Sequence, residues 1–378
     1  MKYTKMSTAA VLAMTMPVLA GCSLSSTGAS PTASGAKVSG ASTTGAKGSG
    51  STGSGGAVTN KNVVLVTHDS WAVPKPVLAA FTKETGYKVT VRASGDAGQL
   101  SNSLVLTKGN PTGDVVFGVD NTFASRVAKA GVLESYSPKL PAGAAKYALT
   151  GAAAPVLTPI DFSDVCVNVD NAWFKAKGKT PPAGLDDLTK PAYKGLFVSP
   201  GAATSSPGMA FLLATIAKYG DSKQDGWQQY WKKLMANGTK LTSGWSDAWG
   251  VDYTAGGGNG SRPIVLSYNT SPADTVKAGK STTSALMNTC FQEQEYAGVL
   301  KGGKNSAGAK AFIQFMLGKT FQAAMPANMY VFPVDASVAL PAGWNSYVKT
   351  PVKPLSIPAA QISDQRDTWI TQWQNATS

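Results

Sequence analysis

The sequence contains one histidine, His68, and three cysteines among 378 residues, so few side chains are available for nucleophilic or metal chemistry. His68, Asp69 and Ser70 are the residue types of a catalytic triad, but consecutive side chains of an extended segment point to opposite faces. So few histidines and cysteines do not form a typical zinc site. No Gly-x-x-x-x-Gly-Lys-Ser/Thr motif is present. We therefore expect no enzyme, metal site or cofactor; a secreted hydrolase built on aspartate and serine side chains is the alternative of that class.

Long apolar runs and basic clusters are also missing beyond the N-terminal region. No segment after residue 61 has the 18 or more apolar residues that indicate a membrane-spanning helix. The formal charge is +13; four of the lysines precede residue 61, where there is no acid, so the remainder carries +9. The lysines are scattered and do not alternate with aromatic residues, so no nucleic-acid partner is indicated. We expect a solvated basic surface that faces an anionic envelope.

The first 60 residues predict export and a lipid anchor. A basic start is followed by an apolar run over residues 6–20, which is too short to span a bilayer and is typical of a secretory signal. The run ends in Leu19-Ala20-Gly21-Cys22, which resembles a bacterial lipobox. We expect residues 1–21 to be a signal peptide and Cys22 to be lipidated. We expect residues 22–60 to be a disordered tether, whose end-to-end distance as a flexible coil is about 34 Å. The protein is therefore expected at the outer face of a bacterial cell membrane.

The remaining residues, about 318, suit two lobes of ordinary domain size. Predicted strands are Val63–His68, Lys88–Ala93, Asp114–Val119, Leu196–Ser199 and Ile264–Leu266, and predicted helices are Pro76–Thr85, Gln99–Leu106, 121–130, Pro207–Tyr219 and Ser363–Thr377. This alternation predicts an α/β architecture with parallel strands. Ligands of such sheets bind at the carboxyl ends of strands, where this chain carries His68 and Asp120.

A strand followed by Ser-Pro occurs twice, at Ser206-Pro207 and at Ser271-Pro272. Serine is a favoured N-cap and proline is favoured at the first helical position, so each pair predicts a helix start with Ser206 as the N-cap of the first. Helix N-termini offer free N–H groups to ligand oxygens. Plain helix capping explains both serines equally well.

Cys166 and Cys290 are the two cysteines that remain beside Cys22. In an oxidising compartment an isolated pair most simply forms one disulfide. Two buried thiols are the alternative.

The segment from Gly244 to Asp274 concentrates aromatic residues near a predicted strand end. Trp245, Asp247 and Trp249 lie within five residues, and the strand that follows ends at Tyr268. Aromatic faces and a carboxylate suit a flat, cationic, heteroaromatic ligand. Core packing is an equally good interpretation of this segment taken alone.

Seven segments together resemble the thiamine-binding proteins of ABC transporters, and they occur in that family's order. They are residues 68–71, 118–121, 159–161, 204–208, 244–250, 266–273 and 332–334. The resemblance covers residues 62–376, and the segments around Trp245 and Tyr268 are the most specific. It implies an α/β, two-lobed type II periplasmic-binding-protein fold with a ligand cleft between lobes and chain crossovers near Asp161 and Tyr296.

The same resemblance implies where the lobes divide. Lobe 1 would comprise residues 61–160 with about 297–345, and lobe 2 about 161–296 with 346–378. Cys166 and Cys290 would then lie beside the hinge, where one disulfide joins the two segments.

The resemblance also implies a ligand site. Trp245, Tyr268, Asp120 and Ser205 match ligand contacts of the family. Three positions depart from its pattern. His68 stands where a tyrosine commonly precedes Asp-Ser, and Asp274 stands where an aromatic residue often follows Ser-Pro-Ala. Tyr330 replaces a tryptophan near Phe332. The expected ligand-binding residues are His68, Asp69, Asp120, Ser205, Trp245, Tyr268, Asp274 and Tyr330.

The function implied is that of a monomeric solute-binding lipoprotein that captures thiamine, a thiamine phosphate or a precursor and delivers it to the permease of an ABC importer. The membrane is reached through the lipid on Cys22. A receptor on the same fold for another cation, such as a polyamine or ferric iron, is the alternative.

Overall fold

The structure is a computed structural model that describes residues 60–378. The predicted signal peptide, the lipidation site Cys22 and almost all of the predicted tether lie outside the described residues. Among residues 60–378, no helix combines the length and apolar character needed to cross a bilayer.

Thirteen strands and eleven α-helices make up the described chain. The strands are β1 (Asn62–Thr67), β2 (Lys88–Ala93), β3 (Val115–Asp120), β4 (Leu133–Glu134), β5 (Thr158–Asp170), β6 (Phe197–Pro200), β7 (Lys240–Thr242), β8 (Ile264–Tyr268), β9 (Val276–Lys277), β10 (Lys280–Ser281), β11 (Thr283–Ala285), β12 (Phe291–Leu300) and β13 (Phe332–Pro333). The helices are α1 (Lys75–Thr85), α2 (Ala97–Leu106), α3 (Ala124–Ala130), α4 (Asn171–Ala176), α5 (Ser206–Tyr219), α6 (Trp227–Ala236), α7 (Trp245–Asp247), α8 (Ser306–Met316), α9 (Lys319–Asn328), α10 (Trp344–Tyr347) and α11 (Ala359–Thr377).

Two parallel groups of strands are joined by antiparallel strands in the middle of one sheet. The strand order is β2-β1-β3-β12-β5-β8-β6-β7, with β4 paired to β12 and with β11 and β13 paired to β5. Pairing is parallel at both ends, between β1 and its neighbours and between β6 and its neighbours. β12 is antiparallel to β3 and β5, and β5 is antiparallel to β8. The long strands β5 and β12, which contain Asp161 and Tyr296, therefore connect the two parallel groups.

Local sequence rules explain several element boundaries. α1 has a proline in its first turn and ends at Gly86, whose φ of 76° lies in the left-handed region that glycine adopts readily. α2 begins with a capping box in which the Asp96 carboxylate and the Gln99 side chain each bind backbone at the helix start. α3 begins at Ala124 instead of residue 121, because the chain first turns so that the Thr122 N–H binds the Asp120 carboxylate.

The two Ser-Pro segments differ from the prediction in detail. Ser205, with extended backbone angles, is the N-cap of α5, so the assignment of that role to Ser206 was wrong by one residue. Ser206 is already helical, and its hydroxyl donates to the Glu293 carboxylate. Ser271-Pro272 starts only a single 3₁₀ turn, over Ser271–Ala273, with Thr270 as its N-cap, and the Ser271 hydroxyl accepts from the backbone N–H of Tyr268.

Hydrophobic side chains fill three main clusters against the faces of the sheet. One joins α5, α6 and α11 to β5 and β8, and includes Trp231, Trp369 and Trp373. Two others lie on the β1–β3 group, one toward α1, α8 and α9 and the other toward α2 and α3. Burial at about 25 cal/mol per Å² of apolar surface makes these clusters the main source of stability.

Cys166 of β5 and Cys290, which precedes β12, form a disulfide with an S–S distance of 2.04 Å. The predicted pairing is confirmed. The residues at which the two lobes divide stay a prediction.

Candidate functional site

A cavity of about 390 Å³ opens where the two parallel groups of strands approach each other. The segments that line it come from both groups and from the strands between them. They contribute His68, Ser70, Ala72, Asp96, Ala97, Asp161, Ser163, Ser206, Pro207, Trp245, Ser246, Trp249, Gly250, Tyr268, Ser271, Asp274, Glu293, Glu295, Asn328, Met329, Tyr330 and Val331. The wall therefore contains residues separated by more than 200 positions in the sequence, as a ligand site at strand ends requires.

His68 follows β1 directly and is buried in the cavity wall. Its Nε2 atom lies 3.2 Å from a carboxylate oxygen of Glu295, and its Nδ1 atom lies 2.7 Å from the hydroxyl of Ser70. Burial, the largest effect, lowers the pKa of His68, but Glu295 together with Asp96 and Asp69 outweighs it, so the pKa is raised from its usual value. His68 and Glu295 thus form an ion pair within the wall, in which the buried Nε2 atom has no partner with hydrogen-bond geometry among the described residues.

Aromatic rings form one side of the cavity. The indoles of Trp245 and Trp249 stack with centroids 5.8 Å apart, and the Tyr268 ring lies 6.1 Å from that of Trp245 in a tilted arrangement. The Trp245 Nε1–H donates to the Ser267 hydroxyl over 2.8 Å, which fixes the ring in place. Trp249 is nearly buried, whereas Trp245 and Tyr268 are half-buried and present ring surface to the cavity.

Asp96 connects three segments around the cavity, and sequence reasoning missed this residue. One carboxylate oxygen accepts from the N–H of Ala97 over 2.6 Å and from the N–H of Ser206 over 3.2 Å. The other accepts from the N–H of Trp245 over 2.7 Å. The start of α2, the start of α5 and the Trp245 segment are therefore held together by one side chain. The Asp-x-x-Gln capping box was visible in the sequence, but it predicts only the helix start.

Three further carboxylates form the floor of the cavity, and none of them was predicted as a ligand-binding residue. Glu293 and Glu295 alternate along β12 and so lie on one face, and Asp161 of β5 pairs directly opposite Glu295. Burial raises the pKa of Asp161 well above its usual range, and the nearby Glu295 and Glu293 raise it further. The pKa of Glu293 is also raised well above its usual range, chiefly by burial and to a smaller extent by the nearby Asp120 and Glu295. The Gln-Glu-Gln-Glu alternation was the available sequence signal.

Two buried polar atoms in this floor have no hydrogen-bond partner among the described residues. They are one carboxylate oxygen of Asp161 and the hydroxyl of Ser163. Both residues are almost fully buried and line the cavity. Buried polar atoms are rarely left without partners, so these two atoms are available to a ligand.

The wall is acidic. Five carboxylates line it, from Asp96, Asp161, Asp274, Glu293 and Glu295, and no lysine or arginine does so among the residues that the structure describes. Within residues 60–378, no three histidine, cysteine, aspartate or glutamate side chains are grouped so as to hold a metal ion.

Five of the eight predicted ligand-binding residues line this cavity: His68, Trp245, Tyr268, Asp274 and Tyr330. Asp69, Asp120 and Ser205 do not. Asp69 is exposed and accepts from the Ser246 hydroxyl over 3.1 Å. Asp120 and Ser205 are fully buried behind the wall, the first at the end of β3 and the second just before α5. Direct ligand contact by any of the eight stays a prediction.

Asp274 and Tyr330 lie at the edge of the cavity. Asp274 is exposed, and Tyr330 is half-buried with a φ of 54°, which a residue other than glycine rarely adopts. Burial and then the Asp274 carboxylate raise the pKa of Tyr330. Such conformations persist where the surrounding structure holds them and are common at binding sites.

We predict that the ligand-free protein loses stability as the pH rises from about 5 to about 8. Carboxyl groups with a raised pKa in the folded state, such as Asp161 and Glu293, are protonated there at pH values at which the unfolded chain has lost the proton. Asp164, whose pKa burial raises to about 6, contributes in the same range. The raised pKa of His68 acts in the same direction, because its stabilisation is lost as the pH rises through the folded-state value.

The measurement is the Tm of the ligand-free protein at intervals across this range. We expect the Tm of the native chain to fall by several degrees toward pH 8. The Tm of the Glu293→Gln variant should fall less over the same range. A Tm that rises with pH over the same interval would show that the carboxyl groups of the cavity are not protonated in the folded state.

Two parallel sheet halves, joined by antiparallel strands around an aromatic and acidic cavity, define a protein that binds a solute. Residues 77–352 match the family of bacterial extracellular solute-binding proteins, and the chain belongs to this family. More particularly, it is 31% identical over 332 residues to the thiamine-binding periplasmic protein of Escherichia coli (strain K12), which covers 84% of this chain and 93% of the relative.

A solved structure and a more distant relative complete the comparison. The solved periplasmic thiamin binding protein is 28% identical and has a TM-score of 0.73, covering 85% of this chain and 98% of that chain. The spermidine/putrescine-binding periplasmic protein 1 of Haemophilus influenzae is 25% identical over 301 residues, 70% of this chain and 72% of the relative. The expected two-lobed type II periplasmic-binding fold is confirmed, and the named relatives are periplasmic binding proteins.

Proposed function

We propose that this protein captures thiamine or a close relative of thiamine outside the cell and delivers it to the membrane permease of an ABC importer. The observation that carries the proposal is the cavity wall, which combines aromatic rings with five carboxylates and has no lysine or arginine among the described residues. The similarity to thiamine-binding periplasmic proteins supports the same ligand.

The chemistry of thiamine suits this wall. Thiamine has a flat aminopyrimidine that carries N–H donors, a permanently cationic thiazolium and a hydroxyethyl tail. The rings of Trp245, Tyr268 and Tyr330 offer faces on which flat groups stack, and a desolvated cation–π contact contributes about 2 kcal/mol. A bound cation favours the ionised form of the floor carboxyls, whose pKa is raised in the ligand-free protein. Once ionised, these groups and the partnerless oxygen of Asp161 accept from N–H donors, at about 1.5–3 kcal/mol for each charge-assisted hydrogen bond. A few such contacts, less the cost of ordering, give nanomolar to micromolar affinity.

The cellular setting belongs to the same proposal. A lipid on Cys22 would hold the protein at the outer membrane face, and the Ser/Gly-rich tether would let the folded part reach its permease as a monomer. The protein would act by binding and release, without a cofactor and without turning over its ligand.

A polyamine is the second candidate ligand, because polyamines are cations and the wall is rich in carboxylates. The similarity to a spermidine/putrescine-binding protein covers less of the chain at lower identity than the similarity to thiamine-binding proteins. A ferric-iron receptor would need clustered tyrosine ligands. The tyrosines that line the described cavity, Tyr268 and Tyr330, are not adjacent in the sequence, so ferric iron is the less favoured ligand.

Isothermal titration of the mature full-length chain against thiamine, spermidine and ferric citrate tests the proposal directly. We expect saturable binding of one thiamine per chain, in the nanomolar to micromolar range, and weaker or no binding of the other two. Absence of heat with thiamine, together with a saturable signal for spermidine, would replace the first proposal by the second.

Trp245→Ala is expected to weaken thiamine binding by at least about tenfold, which is the loss of one contact of about 1.4 kcal/mol. The indole presents its surface to the cavity and stacks on Trp249, so its removal takes away a stacking face. Fluorescence or calorimetric titration measures the change.

The matched control is Trp173→Ala. Trp173 is also half-buried, but it packs on Phe174 of α4 away from the cavity, so we expect unchanged affinity for this variant. Equal affinity of the Trp245 variant and the native chain would assign Trp245 to the core.

A further inference from the structure

We propose that one basic surface of the folded part docks on an anionic lipid membrane. This surface, the lysine face, comprises residues 171–194 and 226–240. The proposal goes beyond ligand binding, because none of the lysines in these segments lines the cavity. It takes one element from the proposed function, the lipid on Cys22, which would keep a membrane within reach.

The two segments carry most of the formal net charge of the folded part. Their 39 residues contain eight lysines and two aspartates, a net charge of +6 out of the +9 found from residue 61 onward. All eight lysines are exposed: Lys175, Lys177, Lys179, Lys190, Lys194, Lys232, Lys233 and Lys240. A local excess of one sign of charge attracts surfaces of the opposite sign.

Hydrogen bonds hold the two segments side by side, although they are apart in the sequence. The Asn237 side chain, which follows α6, donates to the carbonyls of Leu188 and Lys190 over 2.8 and 2.9 Å. The Gly195 N–H donates to the Asn237 carbonyl over 2.8 Å. Lys233 lies one helical turn before Asn237, on the same flank of α6. Lysines of both segments therefore belong to one surface.

The lysines around the end of α4 extend this surface. The Tyr193 hydroxyl donates to the Thr180 carbonyl over 3.2 Å, and the Tyr193 ring lies 6.4 Å from that of Phe174. These contacts place residues 175–179, which contain three of the eight lysines, beside residues 190–194.

Carboxylates neutralise only part of the lysine face. Lys190 pairs with Asp187 and Lys240 pairs with Asp252, each over 2.6 Å. Asp186, the other aspartate of the face, pairs with a lysine outside it. The six remaining lysines form no salt bridge with any residue that the structure describes. Their charge is therefore available to a partner.

The composition of the face fits lipid headgroups better than nucleic acid. Its aromatic side chains are buried or half-buried, so none is exposed for bases to stack on. The lysines are distributed over α4, the turns before residue 195 and α6. Flexible ammonium groups spread over several elements suit the broad charge of an anionic bilayer, which attracts lysines close to its surface.

The lipid anchor of the proposed function would make even a weak contact effective. The tether predicted over residues 22–60 has an end-to-end distance of about 34 Å as a flexible coil. It would keep the folded part in a thin layer above the membrane, where docking is an intramolecular step at high effective concentration. The lysine face would then determine how the folded part lies on the membrane.

Vesicle co-sedimentation of the chain without its lipid tests the proposal. The mature full-length chain carries Cys22→Ser, so that no lipid is attached and only the folded part and tether meet the vesicles. One set of vesicles contains equal parts of phosphatidylglycerol and phosphatidylcholine, and the other contains phosphatidylcholine alone. A parallel series at about 1 M salt, where the Debye length is about 3 Å, screens the lysines.

Two triple variants separate the lysine face from net charge. The test variant removes three lysines of the face that form no salt bridge, by Lys194→Gln, Lys232→Gln and Lys233→Gln. The matched control removes three exposed lysines of α1 and β2, by Lys75→Gln, Lys83→Gln and Lys88→Gln. Both lose the same charge, and lysine and glutamine have similar helix propensities.

We expect the native chain to partition at least about tenfold more strongly onto the anionic vesicles than onto phosphatidylcholine. The test variant should lose at least about tenfold of this partition and the control less than about threefold, since each lysine at the membrane surface contributes separately. High salt should abolish the difference between the two kinds of vesicle.

Equal losses in the two variants would assign the binding to net charge and overturn the inference, as would equal partition onto both kinds of vesicle. Binding of soluble polyphosphate by a chain that leaves the anionic vesicles unbound would overturn it as well, in favour of a dissolved polymer. Thiamine titration of the same chains is a separate readout. Both variants should keep the native affinity, and a chain that docks on vesicles without binding thiamine would contradict only the proposed function.

Discussion

Asp96→Asn is expected to weaken thiamine binding by about 100-fold, which corresponds to about 2.7 kcal/mol. The Asp96 carboxylate accepts hydrogen bonds from the backbone N–H groups of Ala97, Ser206 and Trp245. Asparagine keeps one acceptor oxygen and places an NH₂ group where the other oxygen was, so donor would face donor at one of these bonds. Each lost charge-assisted hydrogen bond costs about 1.5–3 kcal/mol.

The loss should appear in ligand affinity, because the carboxylate joins segments on opposite sides of the cavity. Without it, the ligand would have to order the Trp245 segment against α2 and α5 as it binds. Isothermal titration with thiamine measures the effect, and thermal unfolding of the ligand-free variant measures the part that falls on stability.

Asp114→Asn is the matched control for this variant. Asp114 is also a buried aspartate whose carboxylate accepts from two backbone N–H groups, those of Val64 and Asn305, but it lies outside the cavity. We expect it to lower Tm without lowering affinity at a temperature where the variant is folded. An Asp96 variant that behaves as the Asp114 variant does would show that Asp96 serves only the fold.

Much of the fold could be predicted from the sequence, because local rules determine where its elements begin and end. The strand Lys88–Ala93 has its predicted bounds, and the helix before Gly86 ends where a left-handed glycine allows it to end. α5 and α11 were placed by their apolar periodicity and their flanking residues. The alternation of these elements was sufficient to predict the α/β class.

The candidate site was predicted less completely, because its wall depends on long-range pairing. Glu293 and Glu295 reach the cavity since β12 pairs with β5 in one particular register, which brings Asp161 opposite Glu295. Asp96 reaches Trp245 across 149 positions of sequence. No local pattern contains either fact, and the resemblance to a family identifies only positions that match its motifs.

Side-chain direction accounts for two of the residues placed outside the wall, one of them offset by a single residue. Ser205 was expected in the site, but the neighbouring Ser206 lines the cavity and binds Glu293. Asp120 ends β3 and directs its carboxylate to the Thr122 N–H, behind the floor that Glu295 forms in the adjacent strand. Because successive side chains point in different directions, a motif that is correct as a segment does not say which of its residues meets the ligand.

Loss of the disulfide between Cys166 and Cys290 should lower the free energy of unfolding by about 3–5 kcal/mol. The bridge closes a loop with a sequence separation of 124, and long loops lose the most chain entropy in the unfolded state when they are cross-linked. Both cysteines are fully buried, beside the strands that carry the cavity floor. Guanidinium unfolding followed by tryptophan fluorescence, with and without reductant, measures the difference.

The double variant Cys166→Ala/Cys290→Ala separates the bridge from the burial of its sulfur atoms. Reductant should destabilise the native chain and leave this variant unaffected, and the reduced native chain should remain somewhat more stable than the variant because it keeps both buried sulfurs. Neither cysteine lines the cavity, so thiamine affinity measured in the absence of denaturant should change by less than about threefold, under about 0.7 kcal/mol. Coincident unfolding curves of the native chain with and without reductant would contradict a stabilising role for the bridge. A large loss of affinity would show instead that it positions the floor carboxylates, since β5 and β12 reach the cavity only a few residues beyond it.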